Sequence, residues 1–158
     1  EAAPHAMIMV DCAYAEFADL DLTKTALSLP NTLVFRTFSK AFGLAGLRLG
    51  YVLGDASWIG VLRRVGLPYP ASAPSIALAT ASLQCFEARE SFIENVRSER
   101  AELREKFTRL GLHSEPSQGN FVFLRTKRAT WWRDGLAGQN IGIRAWPQDE
   151  MLGVSWRG

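Results

Sequence analysis

A lysine lies between two strand-like segments, and this arrangement constrains the fold more than any other feature. Residues 32–37 are mainly apolar or β-branched, and residues 47–53 form a second, mainly apolar run, so both are predicted strands. Lys40 lies between them, where an ammonium group is costly unless it is paired or neutral. A neutral amine can attack a carbonyl and form a Schiff base. The segment therefore points to covalent chemistry at Lys40, with a surface lysine in a glycine-rich turn as the alternative.

The residues after Lys40 suit a ligand that carries a phosphate. Gly43, Ala45 and Gly46 are small, so the backbone can approach a ligand closely. Arg48 then adds a fixed positive charge of the kind that binds phosphate.

An acidic residue follows another predicted strand. Residues 6–10 are apolar and predict a buried parallel strand, and Asp11 comes directly after it. Ligands of open α/β sheets lie beyond the carboxyl ends of the strands, so Asp11 is placed to contact one. A buried carboxylate there could keep a pyridine nitrogen protonated. The alternative is that Asp11 caps the following turn.

The motif S-K-A-F-G-L-A-G-L-R-L-G-Y at residues 39–51 resembles the cofactor-lysine segment of pyridoxal-phosphate (PLP) enzymes of the aspartate-aminotransferase fold. The closest resemblance is to the histidinol-phosphate aminotransferase branch. It implies an α/β chain forming a partial PLP-dependent transferase of fold type I, with part of the large-domain sheet and a small α+β C-terminal domain. It also implies PLP as cofactor, with Lys40 as the catalytic lysine that binds it. The other cofactor-binding residues that the resemblance implies are Asp11, Tyr14, Thr37, Ser39 and Arg48.

The chain departs from the family pattern at two places. The usual D-E-A-Y is D-C-A-Y here, with Cys12 in the second position. The usual L-R-[IV]-[ST] arginine, which binds the substrate carboxylate, is replaced by Gly153, and Arg157 lies out of register. Arg144 resembles the arginine of G-I-x-V-R and is predicted to bind the substrate phosphate or distal group. The alternative for Arg144 is an arginine that extends from an edge strand into solvent.

The resemblance implies three regions. It implies a partial large PLP-binding domain at residues 1–86, a long connecting helix at residues 87–110 and a truncated small domain at residues 111–158. Helical periodicity supports the connecting helix. The apolar face of the long helix is predicted to comprise Phe92, Val96, Leu103, Phe107 and Leu110, with Arg100 among the solvated residues. The other predicted helices are 23–27, 57–65 with Asp55 as N-cap, 72–86 and 129–136, and the other predicted strands are 121–124, 141–146 and 151–156.

Composition argues against several classes of protein. The formal net charge is +2 and the basic residues are scattered, which is not typical of nucleic-acid binding. Cys12 and Cys85 fit neither a metal-binding spacing nor a disulfide framework, so a reducing cytoplasm is expected. No apolar run reaches the length of a membrane span.

The resemblance implies transamination between an amino donor and a 2-oxo acid by a homodimer. The best candidate substrates are L-histidinol phosphate and 2-oxoglutarate, in histidine biosynthesis. A PLP-dependent threonine-phosphate decarboxylase is an alternative, because it shares the lysine segment. A non-catalytic, truncated remnant is the other alternative, because the chain has well under half of the length typical of the family.

Overall fold

Three strands form the first sheet in the computed structural model, which describes residues 5–146, 148 and 150–155. Strands β1 (Ile8–Asp11), β2 (Thr32–Thr37) and β3 (Gly50–Gly54) lie in the order β1-β2-β3. β1 pairs parallel with β2, and β3 pairs antiparallel with β2. Leu33 and Val34 of β2 are fully buried, so the core of this unit lies around the central strand.

Three helices accompany this sheet, and the second and third begin at side-chain caps. They are α1 (Thr23–Leu27), α2 (Ala56–Val65) and α3 (Ala73–Ser82). The Asp55 carboxylate accepts a hydrogen bond from the Ser57 backbone at 2.8 Å, which confirms the predicted cap of α2. Predicted helix 72–86 ends earlier, at Ser82, and a short turn separates it from the next helix.

The long helix α4 (Phe86–Arg109) confirms the longest predicted helix, and Gly111, two residues after its end, has a φ of +70° that stops the helix from continuing. The buried residues of α4 are Ile93, Val96 and Arg100, of which Val96 alone was predicted. The prediction that Arg100 is solvated was wrong: its Nη1 donates to the Gly119 carbonyl at 2.7 Å, so the charge is buried with a partner. Leu110 was wrongly placed on the apolar face, since it is 70% exposed at the helix end.

The second sheet is antiparallel throughout. It contains β4 (Phe121–Arg125), β5 (Arg144–Trp146) and β6 (Met151–Ser155), in the order β4-β6-β5. Helix α5 (Ala129–Ala137) lies between β4 and β5 in the chain. Val122, Leu124 and Leu152 form the buried face of this sheet.

The chain divides inside α4, with one compact unit ending at Glu90 and the other beginning at Ser91. The first unit contains β1–β3 and the second contains β4–β6. The assignment of residues 1–86, 87–110 and 111–158 to a large domain, a connecting helix and a small domain stays a prediction. None of the helices in the described part of the chain has the length and apolar character needed to cross a membrane.

Two predictions about the first sheet need correction. Strand β1 was predicted to be buried, but Ile8 and Met9 are 41% and 70% exposed, because β1 is an edge strand of the sheet that these residues build. Predicted strand 47–53 begins at Gly50, because the 3₁₀ turn Ala45–Leu47 precedes it.

Candidate active site

The parallel pairing of β1 and β2 brings the two predicted site segments to one edge of the sheet. Asp11 ends β1 and pairs with Phe35, two residues before the end of β2. Tyr14 follows the first strand and Lys40 follows the second. Their side chains meet, with Lys40 Nζ 5.2 Å from the centroid of the Tyr14 ring. Both residues are half-buried, so this pair lies at the surface of the unit but is partly shielded from water.

The Lys40 loop is closed at its base by backbone hydrogen bonds. The Phe38 amide donates to the Leu49 carbonyl at 3.1 Å, and the Leu44 amide donates to the Phe38 carbonyl at 3.0 Å. The Gly43 amide donates to the Lys40 carbonyl at 3.0 Å, with Gly43 at a φ of +67°. Glycine adopts that left-handed conformation without the steric cost of a Cβ, so it favours the turn that presents Lys40.

Two residues with hydroxyl groups, Thr37 and Ser39, come just before Lys40 in the chain. The Thr37 hydroxyl accepts a hydrogen bond from the Ser39 amide at 3.0 Å and is 3.4 Å from the Leu49 carbonyl. Both Thr37 and Ser39 are half-buried. The Thr37 side chain therefore shapes the loop, while the Ser39 side chain is directly beside Lys40 in sequence.

Arg48 lies near the end of the same loop, directly after the 3₁₀ turn Ala45–Leu47. It is exposed and adopts a left-handed φ of 52°, and its Nη1 donates to the Ala45 carbonyl at 3.1 Å. The neighbouring Leu47 carbonyl accepts a hydrogen bond from the Ser75 hydroxyl at 3.2 Å, which fastens the loop to α3. The guanidinium thus stays close to the loop while remaining accessible.

Asp11 is exposed, so the prediction of a buried carboxylate was wrong. Its Oδ1 accepts a hydrogen bond from the Ala13 amide at 3.0 Å, which is the turn-capping contact that the sequence left open as an alternative. The turn-capping contact uses Oδ1 alone, and Asp11 Oδ2 takes no part in it. Cys12 is buried, and its amide continues the strand ladder to the Phe35 carbonyl at 2.9 Å.

Arg144 and Gly153 are cross-strand partners in the second unit. The Arg144 guanidinium is exposed and lies 5.0 Å from the Trp146 ring centroid. A Cβ at Gly153 would lie 3.1 Å from Trp146 Cζ3 and 3.2 Å from Phe123 Cε1. These two rings occupy the space above Gly153, so an arginine there would have to displace them. Arg157 lies outside the described residues.

A cavity lies at the opposite end of β2 from Lys40. It measures about 850 Å³ and opens at the N-terminal end of β2, where residues 27–32 face Asp55 and Trp58.

Sequence reasoning also missed Arg36, which lies in β2 just before the Lys40 loop and is nine-tenths buried. The available signal was a charged residue inside an otherwise apolar strand.

Comparison with known proteins identifies the family. Residues 2–149 match the family described as aminotransferase class I and II. The chain belongs to this family. It is 39% identical to an aromatic amino acid aminotransferase from Mycobacteroides abscessus, over 92% of this chain and 43% of that protein. It is 36% identical to histidinol-phosphate aminotransferase 1 from Mesorhizobium japonicum, over 90% of this chain and 41% of that protein.

Solved structures agree with the sequence comparison. The histidinol-phosphate aminotransferase from Sinorhizobium meliloti, in complex with pyridoxal-5'-phosphate, matches with a TM-score of 0.83 and 26% identity. The match covers 96% of this chain and 44% of that one. The predicted α/β architecture, a partial fold-type-I aminotransferase, is therefore confirmed. The chain spans less than half the length of the curated relatives named above, and members of this family use PLP.

Proposed function

We propose that these residues form part of a PLP-dependent aminotransferase in which Lys40 holds the cofactor. The observation that carries the proposal is the placement of Lys40 Nζ, 5.2 Å from the Tyr14 ring, on the turn closed by the Gly43 amide at the carboxyl edge of the sheet. Family membership supports the same chemistry.

The side chains at this edge fit PLP in their chemistry. The cofactor needs a primary amine for its aldehyde, an acceptor for its protonated ring nitrogen, a donor for its ring oxygen, and hydroxyl or cationic groups for its phosphate. Lys40, Asp11 and Tyr14 supply the first three. The phosphate-binding groups are Ser39 and Arg48, with Thr37 as a weaker member because its hydroxyl is already bonded within the loop.

When bound, PLP supplies an aldehyde for amine exchange and a ring that withdraws electrons from the substrate carbon. Lys40 Nζ takes up and returns a proton as general base and acid. The Asp11 carboxylate would accept a hydrogen bond from the ring nitrogen and so favour the protonated form of that atom. The Tyr14 phenol would donate a hydrogen bond to the ring oxygen and so help to orient the ring.

Borohydride trapping tests the role of Lys40. PLP is added to the protein expressed from its complete reading frame, the mixture is reduced, and the modified peptide is identified by mass spectrometry. The label is expected on Lys40, to be lost in Lys40→Ala and to be retained in Lys24→Ala, a matched control because Lys24 is an exposed lysine of α1 in the same unit. Equal labelling of Lys40→Ala, or a label confined to another lysine, contradicts the proposal.

For the substrates, we propose L-histidinol phosphate as amino donor and 2-oxoglutarate as 2-oxo acid, which is the aminotransferase step of histidine biosynthesis. The relative from Mesorhizobium japonicum, a histidinol-phosphate aminotransferase, supports the choice of amino donor. An aromatic amino acid is the second candidate donor, supported by the 39% identical relative from Mycobacteroides abscessus. The ratio of kcat/KM for the two donors decides between them.

Arg144 is proposed to bind the phosphate or distal group of the donor, and a matched pair of variants tests this role. Arg144 and Arg128 are both exposed arginines of the second unit that lie over tryptophan rings, at 5.0 Å and 4.0 Å from the ring centroids. Arg144→Gln should lower kcat/KM for histidinol phosphate about tenfold or more, as expected for a lost charge-assisted hydrogen bond, whereas Arg128→Gln should not. Equal effects of the two variants would remove Arg144 from the site.

We also propose a homodimer, which sedimentation of the complete protein tests.

A further inference from the structure

Arg36 links the strand that leads to Lys40 with the segment that carries Tyr14. It lies in β2, and its side chain is 10% exposed. Nη2 is 2.7 Å from Glu16 Oε1, and Nη1 is 2.9 Å from Asp21 Oδ2 and 2.7 Å from the Thr23 hydroxyl. One guanidinium thus binds three acceptors on two separate elements, the 3₁₀ turn Ala15–Phe17 and the start of α1.

The partners of Arg36 differ in burial. Glu16 is 12% exposed, so its pair with Arg36 is almost dry, whereas Asp21 is 48% exposed. Removal of one member of a buried ion pair leaves an uncompensated charge, which costs far more than breaking an exposed pair. The contact with Glu16 is therefore the stronger anchor.

Tyr14 lies between two fixed points of the chain. Before it, the Cys12 amide is bonded to the Phe35 carbonyl at 2.9 Å. After it, Glu16 is held by Arg36 and Phe17 is completely buried. The Phe17 amide donates to the Tyr14 carbonyl at 3.0 Å, which fixes the backbone at Tyr14 itself. With so few residues between the anchors, the Tyr14 backbone has little freedom.

We infer that Arg36 is a positioning residue for Tyr14: through Glu16, it fixes the turn that holds the phenol beside Lys40. The part of this inference that concerns contact between Tyr14 and the cofactor rests on the proposed function. The part that concerns the geometry of the turn does not. A purely stabilising ion pair would raise the stability of the whole unit without acting preferentially on Tyr14. Arg36 acts through Glu16 and does not itself contact the cofactor.

Amide hydrogen exchange without cofactor tests the structural step. The reporters are the amides of Ala15, Phe17 and Ala18, which are bonded within the turn, and the control amide is that of Cys12 in the strand ladder. In Glu16→Gln the three reporters should exchange at least about tenfold faster relative to Cys12, because a buried ion pair is broken locally. Asp21→Asn is the matched control, since it removes an exposed partner of the same guanidinium and should leave the reporters unchanged.

A double-mutant cycle with added PLP tests the functional step. Arg36→Met and Glu16→Gln should each shift the absorption maximum of bound PLP in the same direction as Tyr14→Phe, and neither should add to the shift on the Tyr14→Phe background. If Arg36→Met does not fold, Glu16→Gln alone gives the result. Unchanged reporter amides, or fully additive shifts, would overturn the inference. Failure of the unmodified protein to bind PLP overturns the proposed function instead, and the exchange result still decides whether Arg36 fixes the turn.

Discussion

Gly50→Ala should destabilise the first unit, although it adds only one methyl group. Gly50 begins β3 and pairs with Thr37, three residues before Lys40. A Cβ built at Gly50 would lie 2.6 Å from the Arg36 carbonyl oxygen, whereas ordinary van der Waals contact begins at 3.4 Å. The obstructing atom belongs to the backbone of the paired strand, so it cannot rotate away as a side chain could.

The expected cost follows from this geometry. Relief of the contact requires β2 and β3 to separate by about 0.8 Å at this point, which weakens the adjacent hydrogen bonds of the ladder. Overpacking of this kind costs about 1–3 kcal/mol in the free energy of unfolding. With a typical dependence on denaturant, the midpoint should fall by about 1 M urea. The base of the Lys40 loop should loosen as well, because it begins at the same pair of strands.

Urea titration followed by circular dichroism, with Gly46→Ala as the matched control, measures this effect. Gly46 lies in the same loop, and a Cβ there meets nothing within 4 Å, so this variant should stay within about 0.5 kcal/mol of the parent protein. Hydrogen exchange at the amides of residues 34–37 shows whether the loss is local to β2. Equal stability of Gly50→Ala and Gly46→Ala would refute the close approach of the two strands.

Two further predictions concern buried and acidic groups. Arg100→Met should destabilise the second unit by roughly 1–3 kcal/mol in urea titration, because a buried carbonyl loses its donor at 2.7 Å, whereas Arg109→Met, at an exposed ion pair, should have no measurable effect. Burial raises the pKa of Asp21, but hydrogen bonds from Thr23 and Arg36 outweigh it and hold the pKa below the ordinary 3.8. The ionised Asp21 carboxylate therefore stabilises the fold above pH 3.8, and this stabilisation is lost as the pH falls through the folded-state pKa. Asp21→Asn should then flatten the acid side of a plot of unfolding midpoint against pH.

The sequence by itself determined the family and the elements that depend on near neighbours. The motif around Lys40 predicted the fold-type-I aminotransferase, and the comparisons confirm it. Asp55 predicted the start of α2 because a cap acts on an amide two residues away. The long apolar repeat predicted α4 within one residue at each end. Such signals lie within a turn or two of the chain, so they can be recognised without tertiary information.

The tertiary structure alone decided which charges are buried and which strands lie at an edge. Arg100 was assigned to the solvated residues because of its charge, although it is spaced four residues after Val96 and three before Leu103. Its charge can be buried on this face because a carbonyl nineteen residues away accepts its hydrogen bond. Arg36 tolerates burial because Glu16, twenty residues earlier in the chain, is folded against it. Asp11 was expected to be buried, and its exposure follows from the edge position of β1. Burial of a polar group depends on partners that are distant in sequence, because its desolvation must be offset by a specific contact that only the folded chain brings within reach.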